Sequence, residues 1–236
     1  MDAWVEEQLQ MLLSVKTKEQ LFFGLKKAAG LLEFDYFAYG LRVSIPISTP
    51  KIELLNNYPS TWQKVYNSND YVTIDPTVII GSQTTKPIIW EEKLFSQAGQ
   101  LWEDARSFGL NHGWAQSAHS GLGVSGLMTL SRSSEELSNK ELAKKTPLLV
   151  WLTQMAHLGL QDILLPELLP IVNVKLTKRE TEILRWTADG NTSCEVSMII
   201  GIGEGTVNFH LCNAMEKLNV VNKTAAAVKA VQLGLI

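Results

Sequence analysis

Apolar positions recur at helical spacing toward both ends of this chain and alternate with polar ones through its middle. Residues 3–15 (AWVEEQLQMLLSV) and 18–32 (KEQLFFGLKKAAGLL) carry the helical period. Residues 34–43, rich in aromatic and branched side chains, read as a strand. The two prolines of IPISTPK then break regular structure before a second strand at 52–56. Pro59 opens a helix with Trp62 and Tyr66 on one face, and Asp75-Pro76 starts another, with Asp75 as its N-cap. The apolar run at 87–90 is short, and a helix over 101–108 stops at Gly109. Residues 113–118 and 124–131 alternate as strands joined by a glycine-rich hairpin, and 140–164 forms a long amphipathic helix that includes Pro147. Helices, then strands, then helices predict an α+β fold: an α-β-α sandwich around an antiparallel sheet over residues 1–165. Pro166 and Pro170 bracket a linker over 166–174, and a second, all-α domain fills 175–236.

The second domain is punctuated most explicitly. Thr177 with Glu180, and Thr192 with Glu195, are capping boxes, in which hydroxyl and carboxylate satisfy each other's orphan backbone donors. Gly190 and Gly201 supply stops, and a third helix begins after Gly203. Val207, Leu211, Ala214 and Leu218 form its buried seam, which leaves Asn208, Cys212, Met215 and Asn219 on a free face. Two short helices, a tight turn and a longer helix match a helix-turn-helix module, whose third helix enters the major groove of DNA. A trihelical bundle packed for purely structural reasons fits the same pattern.

Composition narrows the class. Hydrophobic content of 45% and charged content of 19% describe an ordinary globular chain. No apolar run is expected to span a membrane, and the acidic N-terminus does not read as a signal peptide. The two cysteines, Cys194 and Cys212, form neither a disulfide framework nor a zinc spacing, which points to the cytoplasm. A net charge of −3 is not that of a strongly basic nucleic-acid binder, and residues 174–236 hold seven Lys/Arg against six Asp/Glu. DNA contact therefore has to come from a few placed cations: Lys175, Lys178 and Arg179 at one end, Lys217 and Lys223 at the other. A module of such low charge is expected to dimerise to double its footprint.

Between Tyr58 and Trp114 lie Trp62, Tyr66, Tyr71, Trp90 and Trp102, large side chains with polar tips. They suit a greasy site that must also fix one polar group, and equally an ordinary core. Asp75 reads as a helix cap. No G-x-S-x-G elbow, nucleophile–base pair or ligand-spaced histidine set is visible, so an enzyme, a metal and a cofactor are not expected. His112, His119 and His157 read as structural, and His210 as a packing or phosphate-side residue.

The run TKRETEILRWTADGNT, continued through TVNFH and KL to NK and LGLI, resembles the DNA-binding domain of LuxR-type transcription factors. The series Tyr58-Pro59, Trp62, Tyr66, Asp75-Pro76 and Trp90 is similar to the autoinducer-binding domain of the same quorum-sensing receptors, so the resemblance spans nearly the whole chain. It implies a transcriptional activator that binds an N-acyl-homoserine lactone as effector and promoter DNA as a homodimer, working with RNA polymerase and away from membranes. By position, Trp62 would donate to the lactone carbonyl, Asp75 would accept the ligand amide N–H, and Tyr58 would donate to the acyl carbonyl. Thr129 would stand where relatives often have serine, and Tyr66, Val78, Trp90, Trp102 and Leu110 would line the apolar remainder. DNA contacts are implied for Lys178, Thr192, Thr206, Asn208, Cys212, Lys217 and Lys223. Gly203 and Gly205 at the start of the third helix depart from the usual pattern, as does Cys212 at a position that is basic in some relatives. An orphan regulator of the same architecture, sensing a non-lactone molecule, is the alternative.

Overall fold

The computed structural model describes Leu12 and residues 14–121, 123–168 and 174–236. The helix expected over 3–15 lies largely outside the described residues, as do residues 169–173 of the expected linker. Contacts divide the chain into two compact units: Met1–Arg42, Ile52–His119 and Val124–Leu165 form the first, and Val43–Lys51, Ser120–Gly123 and Pro166–Ile236 the second.

The first unit opens with α1 (Lys18–Leu31), whose N-cap Thr17 accepts the Gln20 N–H. Strands β1 (Tyr36–Val43) and β2 (Lys51–Asn56) follow, then α2 (Ser60–Ser68), a 3-10 turn (Tyr71–Thr73) and α3 (Pro76–Gly81). The short β3 (Ile88–Ile89), α4 (Gly99–Ser107), β4 (His112–Ser120), β5 (Val124–Arg132) and the long α5 (Asn139–Leu168) complete it. The strands form one antiparallel sheet in the order β2-β1-β5-β4-β3. The 87–90 run becomes an edge strand, with Ile88 opposite Ala115 and Ile89 opposite Trp114.

Strand alternation sends successive β5 side chains to opposite faces, and that sets the layers. On one face a Cβ at Gly126 would overlap the Tyr39 phenol and crowd His157 of α5, so glycine makes room there for a buried polar pair. The Tyr39 hydroxyl lies 2.7 Å from His157 Nδ1. Burial lowers the His157 pKa to about 4, so the imidazole is neutral. On the other face a Cβ at Gly81 would meet Leu127, and one at Gly113 would overlap the Trp90 ring.

At the C-terminal end of β5 the buried Arg132 forks onto Glu141, with both bonds at 2.8 Å, and Lys145 adds a third at 2.7 Å. These donors, Arg132 first, hold the Glu141 carboxyl down to about 2.

α5 corrects two expectations. It continues through Pro166 to Leu168, beyond the predicted end at 164; a proline removes one helical donor but does not forbid the last turn. By length and composition it is also apolar enough to cross a membrane, against the expectation that no run is. Its Leu149, Leu152, Ala156 and Leu160 are buried and its His157 is bound to Tyr39, which is the packing of a core helix.

The second unit contains α6 (Lys178–Ala188), α7 (Ser193–Ile200), α8 (Glu204–Leu218) and α9 (Lys223–Gln232). Both predicted capping boxes are present. Gly201 ends α7 at φ 68°, and Gly203 caps α8 without a side-chain bond. Val207, Leu211, Ala214 and Leu218 are buried as expected, together with Ile183, Leu184 and Val196. α9 was not predicted. Asn222 caps it, and Ala226, Ala227 and Ala230 are buried as it packs on α6 and α8.

Candidate functional site

The apolar half of the site is one cluster of rings. Trp62, Tyr71, Phe95, Leu101, Ala105 and Leu110 are buried together, with Tyr58, Tyr66, Trp90, Trp102 and Phe108 packed against them. α2 presents Trp62 and Tyr66 one turn apart, with ring centroids 5.6 Å apart and edge to face. Phe95 and Trp102 stack at 4.5 Å, and Trp90 meets Trp102 edge-on at 6.3 Å. Six expected lining or contact residues, Tyr58, Trp62, Tyr66, Trp90, Trp102 and Leu110, thus come together. Val78 sits half-buried on α3, outside that cluster. A polar cleft of about 270 Å³ lined by Glu91, His112, Glu136 and Asn139, among others, includes Trp90 alone of the expected residues.

The polar half centres on Asp75. As N-cap of α3 its Oδ1 accepts the Thr77 N–H at 2.8 Å and the Thr77 hydroxyl at 2.7 Å. Its Oδ2 accepts the Tyr66 hydroxyl at 2.9 Å. Asp75, half-buried, is thus both the cap of α3 and the acceptor of the Tyr66 hydroxyl. Burial raises the Asp75 pKa above the usual carboxylate value and outweighs the Thr77 and Tyr66 donors, which lower it. Burial likewise raises the phenols of Tyr58 and Tyr66, and the Asp75 charge adds to both shifts. A carboxylate oxygen can accept more than one hydrogen bond, so Oδ2 keeps capacity for a further donor. The Trp90 indole N–H is buried with no acceptor among the described residues.

Ser131 is the residue that sequence reasoning missed. It lies on β5 within electrostatic reach of the Tyr58 phenol, is fully buried, and its hydroxyl has no partner of hydrogen-bonding geometry among the described residues. Such an orphan is costly unless something satisfies it. Thr129, two residues earlier on the same face, is 8% exposed and carries no such link to Tyr58. The available signal was alternation: Thr129 and Ser131 share a face, and only a structure says which sits level with Tyr58.

In the second unit α8 exposes Thr206, Asn208, Phe209 and Cys212, while Met215 is half-buried. Asn219, at the far end of the expected free face, is exposed as well. Thr192 accepts the Glu195 N–H as the α7 cap, and Lys178 and Lys223 are exposed at helix starts. Lys217 differs from expectation: its ammonium donates to both oxygens of Glu180 at 2.8 Å. Burial would raise that carboxyl, but Lys217 and the Thr177 donors outweigh it and hold it low. Lys217 is therefore the counter-ion of a buried carboxylate, 37 residues away in sequence.

An aromatic, carboxylate-bearing cluster on a helix-covered sheet in one unit, and a capped helix-turn-helix module in the other, define a ligand-responsive regulator. Comparison with known proteins agrees. The autoinducer binding domain profile matches residues 17–160, and that of bacterial regulatory proteins, luxR family, matches residues 174–230. The chain is 45% identical over 238 residues to the transcriptional activator protein AnoR of Acinetobacter nosocomialis, covering 100% of both. It superposes on a crystal structure of Escherichia coli SdiA with a TM-score of 0.80 at 33% identity, covering 99% of this chain and 98% of that one. It also matches SdiA in complex with octanoyl-rac-glycerol, with a TM-score of 0.76, 35% identity, and coverage of 100% and 97%. The chain belongs to the LuxR family of quorum-sensing transcriptional regulators. Its first unit carries the fold that takes a small-molecule autoinducer, and its second the helix-turn-helix that binds DNA.

Proposed function

We propose that the effector is an N-acyl-homoserine lactone and that its binding readies a homodimer of this cytoplasmic protein to hold promoter DNA and engage RNA polymerase. Asp75 accepts the ligand amide N–H, Trp62 donates to the lactone carbonyl, and Tyr58 with Ser131 holds the acyl carbonyl. Tyr66, Trp90, Trp102, Leu110 and Val78 surround the tail, with Thr129 lining the sheet side. Each directed bond contributes roughly 1 kcal/mol net and each buried CH₂ about 0.8 kcal/mol. The head group thus fixes identity and the tail most of the affinity. Lys178, Thr192, Thr206, Asn208, Cys212 and Lys223 form the DNA side.

The observation that carries this reading is the half-satisfied polar set. Asp75 keeps acceptor capacity, while the buried Trp90 indole N–H and the buried Ser131 hydroxyl lack protein partners among the described residues. A ligand presenting one N–H and two carbonyls completes it. The test is operator binding by the full chain expressed with and without a panel of acyl-homoserine lactones. Binding that requires one of them supports the reading, and equal binding in all preparations opposes it.

A second reading, an orphan regulator for a non-lactone molecule, is favoured by the SdiA complex with octanoyl-rac-glycerol. A glycerol hydroxyl satisfies a carboxylate as an amide N–H does. Competition between the two ligand types on this protein separates the readings.

A further inference from the structure

On α8 the buried seam Val207, Leu211, Ala214 and Leu218 has a counterpart shifted by two residues: Gly205, Phe209, Cys212 and Glu216. Two residues turn an α-helix through about 200°, so this stripe lies diametrically opposite the core. All four residues are exposed, and Phe209, a ring that cores usually bury, is 60% exposed. A Cβ at Gly205, one turn before Phe209, would meet nothing within 4 Å, so the helix surface is bare there and the backbone can approach a partner closely. The stripe holds no cation. α8 contains no arginine, and its lysine, Lys217, is bound to Glu180. The bidentate arginine or lysine contact that reads guanine is therefore missing from this helix. An apolar ring on a groove-entering helix has a different natural target, the C5 methyl of thymine.

We propose that Phe209 is a specificity-determining residue that reads thymine methyl groups in the major groove. Asn208 beside it is exposed and reads the adenine edge. This rests on the DNA-binding role of the second unit and deepens it: α8 selects A·T pairs through apolar and amide contacts rather than G·C pairs through charge.

The test uses the full chain, expressed with a mixed panel of N-acyl-homoserine lactones, and an operator selected from a random duplex pool. Each thymine of that operator is replaced in turn by uracil, which removes the methyl and nothing else. We expect one or two positions in each half-site where uracil weakens binding about five- to tenfold. Phe209→Ala should weaken binding to the thymine operator by a similar factor and become indifferent to uracil there, while Phe209→Leu stays partly sensitive. Phe209 is exposed, so circular dichroism and melting of both variants should match the parent. Wild-type protein that binds the thymine and uracil operators equally overturns the proposal while leaving DNA binding intact. So does a Phe209→Ala variant that keeps its thymine preference but loses transcription, which would make the ring a protein contact. Failure to bind any duplex in any preparation removes the underlying DNA reading as well.

Discussion

The Tyr66 hydroxyl donates to Asp75 Oδ2 at 2.9 Å while Thr77 occupies Oδ1, so the carboxylate is aimed from both sides. The bond joins α2 to the cap of α3. Tyr66→Phe should leave the fold intact and weaken lactone binding about five- to tenfold, the value of one net hydrogen bond. Asp75→Asn should weaken it more, because the amide offers a donor where the ligand N–H must be accepted. Calorimetric titration of both variants checks the order; equal affinities in wild type and Tyr66→Phe would refute the aiming role.

Ser131 and Thr129 give a direct comparison of neighbouring hydroxyls. Ser131→Ala should reduce ligand affinity by roughly 1 kcal/mol, and it removes a buried orphan, so the unliganded protein should melt no lower. Thr129→Val keeps the shape and should change affinity less. The opposite ranking in a dose-response assay would return the role to Thr129.

What the sequence made legible, and what it hid, divides by range. The capping boxes at Thr177 and Thr192, the seam from Val207 to Leu218, and the cap at Asp75 are encoded within a few residues, and local patterns reveal them. The strands β4 and β5 were legible by alternation. Ser131 was not, because its role depends on which β5 residue lies level with Tyr58 across the fold. The ion pair of Lys217 is hidden for the same reason: its partner Glu180 is on another helix. α9 escaped notice because its buried face is alanine, which carries a weak hydrophobic signal. α5 is long and apolar enough by composition to cross a membrane, and its buried seam identifies it as core.

The Lys217–Glu180 pair predicts a stability effect rather than an electrostatic one on DNA. Lys217→Ala leaves the Glu180 carboxylate, 3% exposed, without its ammonium. Because the Lys217 side chain is itself 37% exposed, water compensates in part, and a loss of about 1–2 kcal/mol is expected. Lys178→Ala or Lys223→Ala should instead leave melting unchanged and lower the salt dependence of DNA binding by about one counterion. Thermal melting beside a salt series distinguishes the two kinds of lysine; an unchanged melt for Lys217→Ala would remove its structural role.

His157 sets an acid limit. Its folded pKa of about 4 is below the unfolded value of 6.5, so between these the unfolded chain binds the extra proton. Stability therefore falls as pH drops from 6.5 toward 4, by roughly 3 kcal/mol at most, and this contribution is flat above 6.5. Glu141, held at about 2 against 4.5, adds its own loss as pH falls below 4.5. Denaturant unfolding at several pH values should show the first slope in the parent and not in His157→Gln; an identical slope in both would assign it elsewhere.

The central claim is that the Trp62–Asp75–Ser131 cluster receives an acyl-homoserine lactone. Native mass spectrometry of the full chain purified from cells supplied with a lactone panel, followed by analysis of its organic extract, tests this most directly. The account predicts one lactone retained per chain in the wild type and its loss in Asp75→Asn. Protein that carries no lactone from any culture, or that retains it equally in the variant, would contradict it.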